Sequence, residues 1–418
     1  MEKRNEKFRW VIFASVLFTY LFMSAQRTAP GLITEQLMLD FHASAATIGF
    51  ITSIQFFVYT GLQIPMGLMA DRFGPNFFLI VGALLTGVGN MIYSLALNEA
   101  ILFFARILTG IGDSTIWVNL VLILGIWFSK KEFTRLIGVA GMTGSLGFLF
   151  ASVPFSAVID FLGWRGTFLL SGIILSVCGI FLYIILTKKQ QQALFVKKES
   201  EREKLSVILR RIFTTRQAWM LFFCHFGIVG GFIGFISSWA VPYAMNIYGM
   251  SRMDASQLIM LSFTGALIGA PVIGWISSRL EEIKRPYIFF YLVNLCCWST
   301  FLFFDGRPPM VILVFLFLII GFCFGANSLT FAAVRQSFSV KEAGFVTGFA
   351  NTGGFLSAVL LPGIFGAILD HIQLTAGNGS TGYYYGLFTP VLFCIIGLFG
   401  VCFMKESKEI SDILVDEK

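Results

Sequence analysis

The chain has 418 residues, of which 56% are hydrophobic and 13% charged, about half the charged share of a soluble domain. That composition excludes a water-soluble globular enzyme. The formal charge of +7 follows from membrane topology, as counted below, and gives no reason to expect nucleic-acid binding.

Charge-free runs occupy 10–26, 43–70, 73–98, 114–129, 136–159, 166–187, 217–251, 255–278, 286–304, 308–334, 343–369 and 372–404. A spanning helix needs roughly 20 apolar residues. Every run suffices once the fourth is extended back through Asp113 and Arg106 to about residue 101. The reading is an all-α integral membrane protein with twelve spans. The first run is followed by "RTAPGLITEQ", which offers no small-x-small cleavage site, so it is expected to remain as a span.

Span 1 reads "RWVIFASVLFTYLFMSAQR" and ends on Arg27, 18 residues after Arg9, about 27 Å along a helix. A charge at the centre of a span costs at least about 2.5–3.5 kcal/mol, so Arg27 must find a partner. It either faces a wet cavity, where its planar fork suits a carboxylate or phosphate, or snorkels to the headgroups. Tyr20 could line the same cavity. On span 2, Gln55, Tyr59 and Gln63 recur at i, i+4 and i+8, a polar stripe that faces either a cavity or another helix. The loop after it, "GLMADRFG" (Gly67–Gly74), puts Asp71 and Arg72 at a helix end, where charge can meet helix dipoles and opposite charges and so bias an access state. The competing reading is that these charges only set topology.

Span 4 carries "RILTGIGDSTIW", with Arg106 and Asp113 seven residues apart. Burial disfavours an ionised carboxylate and a neighbouring cation favours it, so Asp113 is suited to load and release a proton. The rival readings are an ion pair with Arg106, strained by an axial separation of about 10.5 Å, and a hydrogen bond to substrate. Glycines such as Gly141, Gly144 and Gly147 in span 5 permit close helix contact, and "GWRGTF" enters span 6. A polar segment at 188–215 separates residues 1–187 from 216–418, six spans from six. Trp239 in span 7 could wall a cavity or belong to an aromatic belt.

The halves repeat. "FSKKE" at 128–132 returns as "FSVKE" at 338–342, a shift of 210 that also aligns Gly138, Ala140, Gly144 and Asp160 with Gly348, Ala350, Gly354 and Asp370. "PMGLMADR" is echoed by "PVIGWISSR", its Gly67 and Arg72 lying 207 before Gly274 and Arg279. With both termini inside, 25 of the 30 Lys and Arg lie on the cytoplasmic side, as the positive-inside rule requires. The seven cysteines all lie in apolar runs and the three histidines are scattered. Neither a disulfide framework nor a metal site is expected.

Two six-span repeats with "GLMADRFG", "RILTGIG" and "GWRGTF" resemble the major facilitator superfamily over essentially the whole chain. The first motif normally ends in two basic residues, where Pro75 and Asn76 stand here. The resemblance implies two six-helix bundles related along the membrane normal, alternating access, and a substrate site between the halves near the midplane. It implies a gating role for Gly67, Asp71, Arg72 and, by the repeat, Arg279. Arg9–Arg27 further resembles helix 1 of the organophosphate:phosphate antiporters and the anion:cation symporters, which implies that Arg27 contacts an anionic substrate. Span 7 lacks the second Arg of the phosphate-ester antiporters, which favours a singly charged substrate. Asp113 stands where the symporters often hold a proton-coupling carboxylate, whereas Gln26 replaces the acid they commonly carry before the helix 1 Arg. The expectation is a secondary transporter carrying a small organic anion with a proton, binding through Arg27, Tyr20, Gln55, Tyr59 and Trp239 and coupling through Asp113 and Arg106. No enzymatic chemistry, cofactor, metal or nucleic acid is expected. The expected form is a monomer in the lipid bilayer of a bacterial cell membrane. Two other readings stay open: a proton-driven drug or metabolite exporter, and a receptor that binds an anionic metabolite without moving it.

Overall fold

The computed structural model describes residues 2–128, 130–187, 210, 212–338, 340–376 and 379–406. The linker expected at 188–215 therefore lies outside the described residues apart from 210 and 212–215. Among the described residues the regular structure is helical, with no strand. Eleven helical stretches are long and apolar enough to cross a membrane, and the shorter apolar helix Val139–Phe150 supplies the fifth of twelve spans. That span is broken rather than missing. Helix α6 (Lys130–Phe150) stops at Ala151 and Ser152, and the next helix resumes at Val153 with Pro154 in its first turn. A proline there has no N–H to leave unbonded.

Two other interruptions stand in corresponding places. The first span runs as α1 (Glu2–Thr28), a tight 3₁₀ segment Ala29–Ile33, and α2 (Thr34–Phe41). Pro30 falls at the start of the 3₁₀ turn, where the α ladder could not use it. The seventh span runs as α8 (Arg216–Val229), a π segment Gly230–Gly234, a break at 237–239, and α9 (Ala240–Tyr248). Interrupted first helices in matching positions of two repeats mark the binding region in transporters of this construction.

The remaining elements are α3 (Ala45–Phe73), α4 (Pro75–Ser94), α5 (Glu99–Trp127), α7 (Val153–Leu186), α10 (Arg252–Leu280), α11 (Lys284–Phe303), α12 (Met310–Phe324), α13 (Asn327–Ser337), α14 (Val340–Ala376), α15 (Gly379–Gly386) and α16 (Phe388–Phe403). Within α7, Gly163 adopts φ 70°, which only glycine takes without strain, and there span 5 turns into span 6. The residues that follow tie the turn down. Trp164 Nε1 donates to Asp40 at 2.8 Å, and Arg165 Nη1 donates to the Ser94 and Ala96 carbonyls at 2.9 and 2.8 Å, satisfying the exposed C-terminus of α4.

The chain divides into two compact units, Met1–Ala43 with Ile51–Glu199, and Ser44–Phe50 with Ser200–Lys418. In the first, Ile12, Val16, Leu79, Ala83, Ile116 and Leu120 belong to one apolar core. In the second, Trp298, Phe301, Leu313, Phe317 and Val401 are buried, and the Asp370 carboxylate accepts the free N–H groups of Ala45 and Ala46 at 3.0 and 2.8 Å.

The duplication persists in three dimensions. Tyr20 packs on Gly144 as His225, 205 positions on, packs on Gly354. Gly110 abuts the Gln55 carbonyl as Gly321, 211 positions on, abuts that of Ser262. Small residues at these crossings let backbones touch where lipid supplies no hydrophobic force. A Cβ on Gly112 would stand 2.5 Å from the Gly82 carbonyl oxygen, whereas one on Gly141 would meet nothing. Gly112→Ala should thus destabilise the protein by about 1–3 kcal/mol through overpacking, despite the helix propensity it gains. Gly141→Ala should be neutral or stabilising. Thermal unfolding of the two variants in one detergent checks both.

Candidate functional site

Three helices of the first unit bring the charges together. Arg27 lies in the last turn of α1, immediately before the 3₁₀ break. Asp113 and Arg106 lie two turns apart on α5, and Gln55 and Tyr59 one turn apart on α3. Arg27 Nε donates to Asp113 Oδ2 at 2.7 Å and Nη2 donates to Oδ1 at 3.0 Å, a two-pronged pair. Arg27 is 6% exposed and Asp113 1%. The guanidinium lies over the Tyr59 ring at 4.6 Å, and Tyr20 is close enough to interact with both charges.

Arg106 is separate. Its Nη1 donates to Gln55 Oε1 at 2.9 Å and to the Gln26 carbonyl at 3.4 Å. The other end of the Gln55 amide donates to Asp113 Oδ2 at 3.4 Å. One side-chain amide therefore spans the gap between the acid and the second arginine. The Gln26 side chain donates to Ser171 Oγ. Tyr93 covers the Arg106 guanidinium at 4.1 Å and Phe168 lies at 5.6 Å, favourable cation–π contacts in a desolvated place.

Several sequence expectations are thereby placed. Arg27 is not turned to the headgroups, because its counter-ion is inside the unit. That counter-ion is Asp113, and the alternative pairing of Asp113 with Arg106 is not the one formed. The seven-residue spacing that strains a bond along α5 puts Asp113 level with the end of α1 instead. Gln55 and Tyr59 both join the network, and Gln63, two turns further along α3, has an unpaired side-chain nitrogen. Trp239 does not join it. It belongs to the second unit, where Nε1 donates to the Pro362 carbonyl at 3.1 Å and the indole stacks on Phe365. The surroundings of Gly67 and the side chains of Asp71 and Arg72 lie outside what the structure describes; Arg279 is exposed, its guanidinium 5.6 Å from the Trp275 ring. Tyr93 was missed, since one tyrosine in an apolar run carries no signal until Arg106 is known to lie against it. Among the described residues no three His, Cys, Asp or Glu side chains converge as a metal site would need.

The second unit shows what the first would look like without these charges. The repeat shift of 205 carries Arg27 to Phe232, and that of 211 carries Asp113 to Phe324. Phe232 and Phe324 stack with centroids 4.2 Å apart. Arg106 corresponds to Phe317, which meets Phe301 at 6.4 Å, as Arg106 meets Tyr93. An aromatic pair fills each place that an ionic or cation–π pair fills in the first unit.

A family model described as the Major Facilitator Superfamily matches residues 12–362. The chain belongs to the Major Facilitator Superfamily. As a member of that superfamily it is a membrane transporter by family, not an enzyme. It is 24% identical over 95% of its length, and 90% of the relative's, to a "Probable hexose phosphate transport protein" of Chlamydia trachomatis. It is 23% identical over 86% of its length, and 82% of the relative's, to a "Probable L-galactonate transporter" of Escherichia coli. A solved structure, the inward-facing, unoccupied form of a bacterial homologue of the human lysosomal transporter Spinster, superposes with a TM-score of 0.79 at 15% identity, covering 95% of this chain and 96% of that one. That likeness supports the major facilitator fold and nothing finer.

Removing one partner of a buried ion pair costs about 3–5 kcal/mol, while replacing both with apolar groups of similar size can be nearly neutral. In this major facilitator protein Asp113→Leu alone should lower the melting temperature strongly. Arg27→Met together with Asp113→Leu should recover most of the loss, because the aromatic pair of the second unit shows that the architecture accepts apolar filling there. Thermal unfolding of the single and double variants measures the difference.

Proposed function

We propose that the protein is a secondary active transporter for a small, singly charged organic anion, moved together with one proton. The observation that carries this reading is the two-pronged Arg27–Asp113 pair. An incoming carboxylate needs the same Nε and Nη2 edge of the guanidinium that Asp113 occupies. Displacing an ionised Asp113 would strand a buried carboxylate at a cost of several kcal/mol. Protonating it removes both the competitor and the stranded charge. Anion and proton therefore favour each other's binding, and by linkage the coupling is reciprocal.

The charge count supports one proton. Drawing a monoanion into an inside-negative cell costs about 2.3 kcal/mol per 100 mV, and one accompanying proton cancels that cost. Gln26 cannot titrate, so Asp113 is the single buried acid available for loading in the first unit among the described residues. Phe232 at the repeat position of Arg27 leaves the second unit without a matching guanidinium, which argues against a phosphate dianion. Both named relatives are described as carriers of anions, a hexose phosphate in one and L-galactonate in the other. The distribution of Lys and Arg supports both termini in the cytoplasm, and we take the location to be a bacterial cell membrane.

In proteoliposomes, an inward pH gradient should drive uptake of a sugar acid or another small carboxylate by the wild type. Arg27→Ala should abolish ligand-induced thermal stabilisation by such anions. Asp113→Asn should keep anion exchange while flux loses its dependence on the pH gradient. Normal pH-driven uptake by Asp113→Asn would remove Asp113 from the coupling.

A further inference from the structure

The Gln55 amide lies between the Asp113 carboxylate and the Arg106 guanidinium, and its orientation follows from what those two groups can accept. A guanidinium has N–H donors and no acceptor, so the amide atom that meets Arg106 Nη1 at 2.9 Å is Oε1. The NH2 end is left for Asp113, 3.4 Å from Oδ2. Gln55 and Arg106 are 1% and 0% exposed, so both bonds are out of reach of bulk water. Arg106 is itself held in place. Its Nη1 also donates to the Gln26 carbonyl at 3.4 Å, and Tyr93 both covers the guanidinium and makes a side-chain hydrogen bond to it.

A freely turning amide would donate to an ionised Asp113 and turn over to accept from a protonated one. Arg106 removes the second choice. Turning over would set the amide NH2 against the guanidinium, donor against donor, and leave Nη1 with the Gln26 carbonyl alone. Gln55 therefore presents N–H to Asp113 in both charge states and supports only the ionised one. The titratable and charged side chains that face Asp113 among the described residues are Arg27 and Tyr20 from α1 and Tyr59 from α3. Arg106, two turns away on α5, meets it through Gln55.

The second unit lacks the whole set. The repeat positions of Arg27, Asp113 and Arg106 hold phenylalanine, and that of Gln55, 207 positions on, is Ser262. The Ser262 hydroxyl returns to its own helix, donating to the Leu258 carbonyl at 3.2 Å. Where there is no acid to hold, there is neither a bridging amide nor a cation to orient it.

We propose that Arg106 is a positioning residue that locks the Gln55 amide with its donors toward Asp113, so that the two together set the proton concentration at which Asp113 is loaded. The inference rests on the transport reading above in taking Asp113 as the proton carrier. The lock favours the return step of the cycle. Once the anion has left, Asp113 gives up its proton and re-forms the Arg27 pair, because Gln55 cannot accept a bond from the protonated acid.

The test follows Asp113 protonation by infrared difference spectroscopy on full-length protein in lipid nanodiscs without organic anion, using the carboxyl band that Asp113→Asn removes. The pH profile of uptake in proteoliposomes is the second readout. Gln55→Met fills similar space without hydrogen bonds and should move the midpoint upward by about 0.5–1 pH unit, as expected for losing a hydrogen bond to the charged form. Arg106→Gln frees the amide to turn and should move the midpoint upward at least as far. Arg106→Lys, which is donor-only like arginine, should leave it near the wild-type value. The deciding comparison is Gln55→Met combined with Arg106→Gln. Its midpoint should equal that of Gln55→Met alone, because Arg106 then has nothing to orient.

Shifts that add in the double variant would mean that Arg106 acts by its field alone, and would overturn the proposal. A midpoint that stays put or falls in Gln55→Met would do the same. Should Gln55→Met fail to fold, the contrast between Arg106→Gln and Arg106→Lys carries the test, with equal midpoints overturning the lock. The infrared titration needs no substrate, so the lock can hold where the transport reading fails. Normal pH-driven uptake by the wild type beside additive shifts would leave the transport reading standing without the lock.

Discussion

A permanent guanidinium held in a hydrocarbon-spanning bundle is the constraint on which the first unit is organised. Arg27 keeps its proton at any accessible pH, so the surroundings must supply the compensation. They do so with a carboxylate from another helix, an aromatic face and a nearby phenol. Because both prongs of the guanidinium point at Asp113, the pair is directional as well as neutral. That directionality turns a structural necessity into a competition. On the proposed reading, a second carboxylate that approaches contends with the first for the same two N–H groups, and a proton on Asp113 would decide the contest.

Where the chain breaks is the second half of the same argument. Arg27 lies in the last turn of α1, two positions before the 3₁₀ segment, and the π segment of span 7 contains its repeat position, Phe232. Irregular backbone is tolerated at membrane depth only when it is enclosed by protein or lines a watered space. A helix that loses its regular ladder at that level exposes backbone groups and frees a side chain to change direction. The charge and the break reinforce one another.

Twelve spans were legible because apolar runs of spanning length recur between charges, and the duplication was legible because short motifs recur at nearly fixed shifts. Arg27, Arg106 and Asp113 were each legible as charges that hydrocarbon penalises. Their pairing was not. Spacing along α5 makes Asp113 and Arg106 look like natural partners, and only the packing of α1 and α3 against α5 shows that Gln55 spans that gap while Arg27 takes the acid. The Gly230–Gly231 interruption was also silent, since hydropathy barely registers a π turn. Trp239 was legible as a large aromatic for a cavity wall or an aromatic belt, and its anchoring by the Pro362 carbonyl was not.

The two repeats bear on why the charges persist at all. If Arg27 and Asp113 served only to hold helices together, the stacked Phe232 and Phe324 would be the simpler solution, and the same scaffold already uses it. Aromatic packing has no desolvation cost to recover and gives no dependence on pH. Buried ion pairs are weak devices for stability, so their confinement to one repeat sets the ionic half apart from the apolar half by what it can respond to. The first unit contains charged groups, which an anion or a proton could re-pair, whereas the matching places of the second unit contain rings that offer neither. An architecture duplicated from one bundle can divide labour this way, with one copy keeping the apolar solution while the other takes on charge.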